Sequence, residues 1–445
     1  MNVSASRNMF ENKIDRYADG RTNDPAFQTQ QIVSQEIENK LRLDVKKFSG
    51  KWKYSYGGML QYVKFNNNGF TVISNATINS TGAIITPAQR FSFSSAIEFF
   101  KYGVHGDVTR KMAGDRLTIT LGLRLDGNTF TTSGNDVWKT FSPRLAGSYA
   151  LTSSLNLNAT VGRYYRLPSY TVLGFRDGAG NLANQSANYI GVDHYVAGIE
   201  WLPTNTSRIT LEGFYKQYFD YPVSKLTGTS IANTGTEFGA VGNEPVNSNG
   251  KGRAYGFEVF YQQKLSKRFF TTISYTFFYS KFSGADGKYI ASAWDTRHLL
   301  SFIAGYKFNK GWELGLKHRF AGGSPYTPFD MPVSQSNYLI TGKGIPNYSQ
   351  LNTQRLGNFN QTDIRIDKKW NFKRITLDVF LDIQNVLRIA SPAYPTYLFK
   401  RTPDNSGWAT TDGQPIRIDG SNGIPYLQEN FNDSFLPTFG FILEF

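Results

Sequence analysis

The chain repeats one hydrophobicity pattern from near its start to its last residue. About ten positions alternate apolar and polar, a turn of a few residues follows, then a second alternating run, then a long polar segment. Period two is the mark of a β-strand with one apolar face. The last run, Phe439-Gly-Phe-Ile-Leu-Glu-Phe445, puts Phe439, Phe441, Leu443 and Phe445 on one face and Gly440, Ile442 and Glu444 on the other. Within 116–126, Leu117, Ile119, Leu121, Leu123 and Leu125 alternate without a break. Runs of this kind occupy 36–47, 51–65, 91–106, 116–126, 141–151, 155–165, 195–202, 208–219, 253–265, 269–279, 298–308, 312–320, 362–372, 375–387 and 439–445. They predict an all-β chain of about fifteen strands, and a weak strand near 3–9 would make an even sixteen.

The connections alternate as regularly as the side chains. Short ones at 48–50, 107–115, 152–154, 203–207, 266–268, 309–311 and 373–374 are interleaved with long ones at 66–90, 127–140, 166–194, 220–252, 281–297, 321–361 and 388–436. Transmembrane barrels place short turns on the periplasmic side and long loops outside the cell. The pattern therefore predicts a transmembrane antiparallel β-barrel over 36–445, with its apolar parity toward lipid and its C-terminus in the periplasm. Residues 1–35 are expected as an extracellular loop with the remnant of a preceding strand.

Tryptophan favours membrane interfaces. Trp52, Trp201, Trp312 and Trp370 all fall on the apolar parity beside short turns, whereas Trp138, Trp294 and Trp408 fall in or next to long loops. The first four, with Phe445, are expected to form the periplasmic aromatic girdle. The opposite parity carries charge of both signs, including Lys40, Arg42, Asp44, Arg124, Asp126, Arg144, Glu200, Glu212, Glu258, Glu313, Lys317, Arg319, Asp363, Arg365, Asp367, Asp378 and Asp382. A lumen lined this way needs water or a polar filling.

Composition agrees. With 26 Tyr, 35 Phe and 42 Gly among 445 residues, the chain is rich in strand and turn formers. Its mean hydropathy of −0.39 resembles that of a soluble protein, because lumen and loops dilute the lipid-facing half. Cys is absent, which excludes disulfides and thiolate metal sites. The net charge of +14 is spread along the chain without a basic run, so anionic lipid or an anionic ligand fits it better than nucleic acid. Residues 1–31 contain no apolar core of a secretory signal; an exported protein needs one, so Met1 is not expected to be the true start.

Catalytic patterns are weak. His105, His194, His298 and His318 lie on separate strands with no ligand-pair spacing. Asp295 and His298 resemble an acid/base pair, but they open a strand beside a long loop, where a rim hydrogen bond is the simpler expectation. Residues 178–183 match a relaxed dinucleotide fingerprint in mid-loop, without the strand and helix that give it meaning. Asp378 and Asp382 share a lumen face and are expected to pair with Arg and Lys of neighbouring strands.

Taken in order, Phe141-Ser-Pro-Arg144, Tyr165-Arg-Leu-Pro-Ser169, Tyr255-Gly-Phe-Glu258, Asp295-Thr-Arg-His298, Gly323-Ser-Pro-Tyr-Thr-Pro328, Val379-Phe-Leu-Asp-Ile-Gln-Asn-Val-Leu387 and the terminal Phe445 resemble the C-terminal part of a TonB-dependent outer-membrane receptor of the kind common in Bacteroidota. The resemblance implies a 22-stranded barrel closed by an N-terminal plug, importing a scarce ligand with inner-membrane energy received through a short N-terminal box. Box and plug are not seen in this sequence and about seven strands are missing, which implies a fragment of a longer receptor or a truncated product. The implied partners are outer-membrane lipid and lipopolysaccharide, the TonB complex through the missing N-terminal region, and a small-molecule or oligomeric ligand at the extracellular loops. The barrel-assembly machinery would read Gly440, Leu443 and Phe445. No nucleic acid, cofactor, metal or catalytic group is expected.

The candidate ligand-binding residues are loop aromatics set among Asn, Asp and Gly: Tyr170, Phe175, Tyr326, Tyr338, Tyr397 and Trp408, within a wider set of Tyr189, Phe238, Phe329, Tyr348, Tyr394, Tyr426 and Phe431. Such groups suit a ferric siderophore, an oligosaccharide or a peptide. Two rivals remain: a passive porin-like channel, complete with about sixteen strands, and an outer-membrane enzyme.

Overall fold

The computed structural model describes residues 1–17, 24–25, 28–74, 77–78, 84–86, 89–234 and 242–445. Sixteen long strands form one antiparallel meander in which every neighbour in space is a neighbour in sequence. They are β1 Asn2–Tyr17, β2 Gln28–Ser49, β3 Trp52–Ser74, β4 Gln89–Met112, β5 Leu117–Asn128, β6 Ser142–Ala150, β7 Leu155–Arg166 and β8 Ile190–Thr204. The series continues with β9 Ser207–Ser224, β10 Val246–Ser266, β11 Phe269–Ser283, β12 His298–Lys307, β13 Trp312–Ala321, β14 Phe359–Asn371, β15 Thr376–Gln384 and β16 Leu436–Glu444. A three-residue strand, Tyr289–Ala291, extends the sheet beside the end of β11. Among the described residues no ladder joins β1 to β16.

Residues 1–35 depart from expectation. Within them Asn2–Tyr17 form a full strand rather than a loop with a short weak one: β1 pairs residue for residue with β2, from Asn2 opposite Asp44 to Ile14 opposite Ile32. Apolar Val3, Ala5 and Met9 lie opposite Leu43, Leu41 and Ile37, but Arg7 and Glu11 dilute the alternation. The expected turn at 107–115 is also too long, since β4 runs on to Met112. The loop expected at 66–90 shrinks because β3 and β4 continue through it, with Asn67 opposite Ser95 and Thr71 opposite Phe91. Alternation reports the solvent on each face, so it fades where both faces become polar while the backbone ladder continues. At 23 residues, β3 is about 75 Å long, about twice the length that a membrane-spanning strand needs.

The short turns close on left-handed positions, including Gly50, Lys267, Lys310 and Gly311. Glycine is required at 311, where φ is +77° and a Cβ would lie 2.3 Å from the Lys369 carbonyl oxygen.

The two faces have opposite chemistry. Leu41, Leu60, Leu121, Leu145, Ile199, Leu211, Phe257, Ile366, Leu381 and Phe441 are all exposed on the outer face. The four turn-side tryptophans share that face, and the Lys368 ammonium sits over the rings of both Trp312 and Trp370, at 5.3 and 5.2 Å. The inner face holds ion pairs: Arg124 to Asp126 at 2.5 Å, Arg365 to Asp367 at 2.7 Å, Arg42 to Asp44 at 2.7 Å and Lys369 to Asp378 at 3.3 Å. Three of these four join residues i and i+2 of one strand. Period two sets such residues side by side on one face, while Asp378 meets Lys369 of the neighbouring strand, as expected.

The lumen and its loop cap as candidate functional site

At the long-loop end the wall turns into a cap with two cores. In the first, the short helix α1, Tyr170–Leu173, drops onto the inner face of β3 and β4. Leu173 packs with Val63, Phe65, Ile97, Phe99 and Ala187, and Tyr170 adds its ring to the edge of the cluster. Below the ring a polar triad pins it: the Tyr170 hydroxyl donates to Glu38 Oε1 at 2.6 Å, and Lys101 Nζ lies 2.9 Å from the same oxygen. Burial, then the Glu38 carboxylate, drives the Tyr170 pKa far up, so the phenol keeps its proton. Burial also pushes Tyr189 of this loop up to about 12.

The second core joins the last two long loops. Helix α2, Met331–Thr341, is capped by Asp330, whose side chain accepts from the Val333 amide, and ends on Gly342 at φ +64°. It packs on the hairpin of Ser391–Phe399 and Pro425–Asn432, where Tyr338, Tyr397 and Phe399 are buried with Phe329, Trp408 and Ile416 against them. The Tyr338 and Phe399 rings stack at 4.5 Å, and Trp408 meets both edge-on.

The candidate aromatics thus separate into two places. Tyr170 and Phe175 belong to the loop over β3 and β4; Tyr338, Tyr397 and Trp408 form the other core, and Tyr326 borders it through an edge contact with Tyr394. Tyr397 is fully buried and Tyr338 nearly so, while Phe175, Tyr326 and Trp408 are half-buried. Phe238 lies outside the described residues.

The periodicity gave no hint of the residues that tie the loops together. The Asn352 amide donates to the carbonyls of Asn233 and Ala291, each at 2.8 Å, and Asn233 donates to Ile290 and Ala291. Asn184 donates to Val172 and Glu244 and accepts from the Val246 amide. Each loop therefore supplies backbone groups that an amide from another loop satisfies. Arg355 donates to the carbonyls of Asp295 and Gly323 and lies 3.5 Å from the Asp295 carboxylate, which is fully buried. Burial raises the Asp295 pKa, against the opposing charges of Arg355 and Arg297. His298 does not meet Asp295 in a catalytic pair; its Nδ1 lies 2.9 Å from the Tyr275 hydroxyl on the outer face. His318 likewise faces outward, 2.9 Å from Thr362.

The sheet thus carries mixed charge on its inner face, an interlocked cap at the long-loop end and short turns at the other. A family model described as TonB dependent receptor-like, beta-barrel, matches residues 3–386. The chain belongs to this family. Among solved structures, the ferripyoverdine receptor of the Pseudomonas aeruginosa outer membrane aligns with a TM-score of 0.58 at 14% identity, over 99% of this chain and 53% of that one. The siderophore receptor PiuA from Acinetobacter baumannii aligns at 0.58 and 12%, over 99% and 61%. The copper transporter OprC aligns at 0.56 and 14%, over 99% and 62%. This chain thus spans between half and two thirds of the length of these TonB-dependent receptor folds. No curated protein matches it in sequence.

Proposed function

We propose that this TonB-dependent receptor barrel works in the outer membrane, taking up a scarce ligand, a ferric siderophore, an oligosaccharide or a similar compound, with energy delivered by the TonB complex. The family match over 3–386 carries the reading, and the lumen supports it. A wall of paired charges such as Arg124 with Asp126 and Arg365 with Asp367 presents hydrogen-bonding groups to a polar filling or a hydrated solute without leaving a net field of one sign. Half-buried Phe175, Tyr326 and Trp408 are the aromatics best placed for the ligand. At the other end, Gly440, Leu443 and Phe445 act as the assembly signal.

One observation favours a passive channel as the second reading: among the described residues the long strands number sixteen, even and antiparallel throughout. Uptake of labelled ferric siderophores and oligosaccharides by cells with and without a working TonB complex separates the two. A TonB-dependent receptor loses uptake when the complex is inactivated. Uptake that persists, and that scales with solute size across unrelated solutes, would establish the channel instead.

A further inference from the structure

The net charge of +14, spread along the sequence, is gathered at one end of the fold. The seven short turns stand at 50–51, 113–116, 151–154, 205–206, 267–268, 309–311 and 373–374. Of the 48 Lys and Arg and 34 Asp and Glu in the chain, sixteen and three fall within four residues of these turns. The remainder is within one charge of neutral. Nearly the whole excess therefore sits on the short-turn rim, the periplasmic side of a membrane barrel.

This gathering is held against repulsion. Lys267 and Lys310 take left-handed φ of +56° and +61° at their turns, positions that favour Gly or Asn. Neighbouring turns touch: the Lys307 amide donates to the Arg268 carbonyl at 2.7 Å, and the Lys368 ammonium donates to the Lys310 carbonyl. Parity then sorts the cations. Outward, Lys47 stands opposite Tyr54, the Arg110 guanidinium lies 4.7 Å over the Trp52 ring, and Lys368 rests on Trp312 and Trp370. These three belong to the aromatic girdle. Inward, Lys46 and Lys111 share the lumen parity of Asp44 and Asp107, Lys53 that of Ser55, and Lys264 that of Glu258. All four are exposed and, among the described residues, form no ion pair. The carboxylates at this level are already taken, Glu313 by Lys307 at 3.6 Å, Asp378 by Lys369 at 3.3 Å and Asp115 by Lys51 at 3.7 Å.

Higher in the lumen a cation has its counter-charge beside it, as Arg124 has Asp126. At the short-turn end the inner face instead finishes in exposed charge of one sign. A water-filled mouth lined this way raises the local concentration of anions and repels cations. We propose that the basic rim is an anion filter at the periplasmic mouth of the lumen, and that the ligand passed through it carries net negative charge, as a carboxylated or phosphorylated solute does and a neutral oligosaccharide does not. The inference rests on the reading of the lumen as the path of uptake and deepens it by fixing the charge of what travels there. It holds whether or not the TonB complex drives the passage.

The test uses the full chain, purified in uncharged detergent and reconstituted in planar bilayers of neutral lipid under a KCl gradient at low salt. In the parent, chloride is expected to carry at least three times the potassium current, a preference that fades in molar salt, where the screening length shrinks to about 3 Å. The inward triple variant K46Q/K53Q/K111Q should lose at least half of that preference, and the charge-matched outward triple K47Q/R110Q/K368Q should keep it. Where no pore opens, binding of the trisulfonate dye pyranine, read by fluorescence anisotropy in detergent, decides instead: the inward triple should bind it at least threefold more weakly than the parent, and the outward triple as the parent does. Equal passage of both ions by the parent, or equal loss in the two triples by either readout, would overturn the assignment. The second of these would give the cations to a surface outside the lumen, lipid or an acidic protein. Cellular uptake that proves independent of the TonB complex while the chloride preference stands would fell the TonB reading and leave this one.

Discussion

The wall and the cap of this TonB-dependent receptor barrel are held by different physics. In the wall, each strand finds its neighbour through a continuous backbone ladder, and its side chains need only respect parity: apolar outward, as Leu381 and Phe441 do, and charged inward, as Arg365 and Asp367 do. In the cap, few ladders exist. The loops are joined by single side chains, Asn184, Asn233, Asn352 and Arg355, that satisfy the carbonyls of other loops. A rule spread over about ten positions tolerates exceptions. A contact that rests on one amide does not, so the cap should yield locally where the wall fails as a whole.

The largest effect is expected at the end of the wall. Phe445→Asp should cut the amount inserted in outer membranes severalfold with synthesis unchanged, and Phe445→Leu should fall between it and the parent; quantitative blots of membrane fractions read this out. Normal insertion of the Asp variant would remove Phe445 from any assembly signal. Next, Leu381 faces outward opposite Ile366 and Phe439, whereas Asp382 faces the lumen opposite Arg365. Leu381→Arg should cost about 2 to 4 kcal/mol, and Asp382→Asn should be nearly neutral, as measured by urea unfolding in lipid vesicles. Equal costs would break the parity on which the wall is assigned.

In the cap, Asn352→Ala strands the carbonyls of Asn233 and Ala291 and should cost about 1 to 3 kcal/mol, confined to the loops. Hydrogen exchange should quicken in 225–234, 284–297 and 322–358 while the strands stay protected. Faster exchange in the strands as well would mean that wall and cap unfold together. The smallest effect concerns Asp295. Its pKa is raised above the ordinary 3.8 by burial, so the closed cap binds the proton more tightly than the opened one. Its contribution is fully present below 3.8 and is lost as pH rises through the raised value. Protection of 284–297 should therefore decline with pH across that window in the parent and stay level in Asp295→Asn. A parent as insensitive to pH as the variant would show that Arg355 offsets the burial cost.

The same contrast explains what could be read from the sequence. The wall was legible because period two is imposed by the solvent on each face, and it lapsed where that cause lapsed. Asn67 and Ser95 continue a ladder above the lipid with no apolar partner to announce it, and β1 carries Arg7 on its outward parity. Loop aromatics were legible as candidates but not as positions. Nothing in the sequence distinguishes Tyr397, fully buried in the second core, from half-buried Tyr326. The cap asparagines look like any other loop asparagines until the fold brings a second loop within 3 Å. The Asp295-Thr-Arg-His298 stretch did carry a signal, but its Asp serves Arg355 from a distant loop and its His serves Tyr275.

The unmated pair β1 and β16 has a consequence of its own. Fifteen antiparallel steps separate them, so they run antiparallel to each other, and each offers a free row of peptide groups. In hydrocarbon each such group left without a partner costs several kcal/mol. A membrane-resident form must therefore have both rows zipped, to each other or to further strands. Until that happens the seam is adhesive, since Val3, Met9, Phe439 and Phe441 stand exposed along it. Two copies meeting in solution can mate there strand to strand.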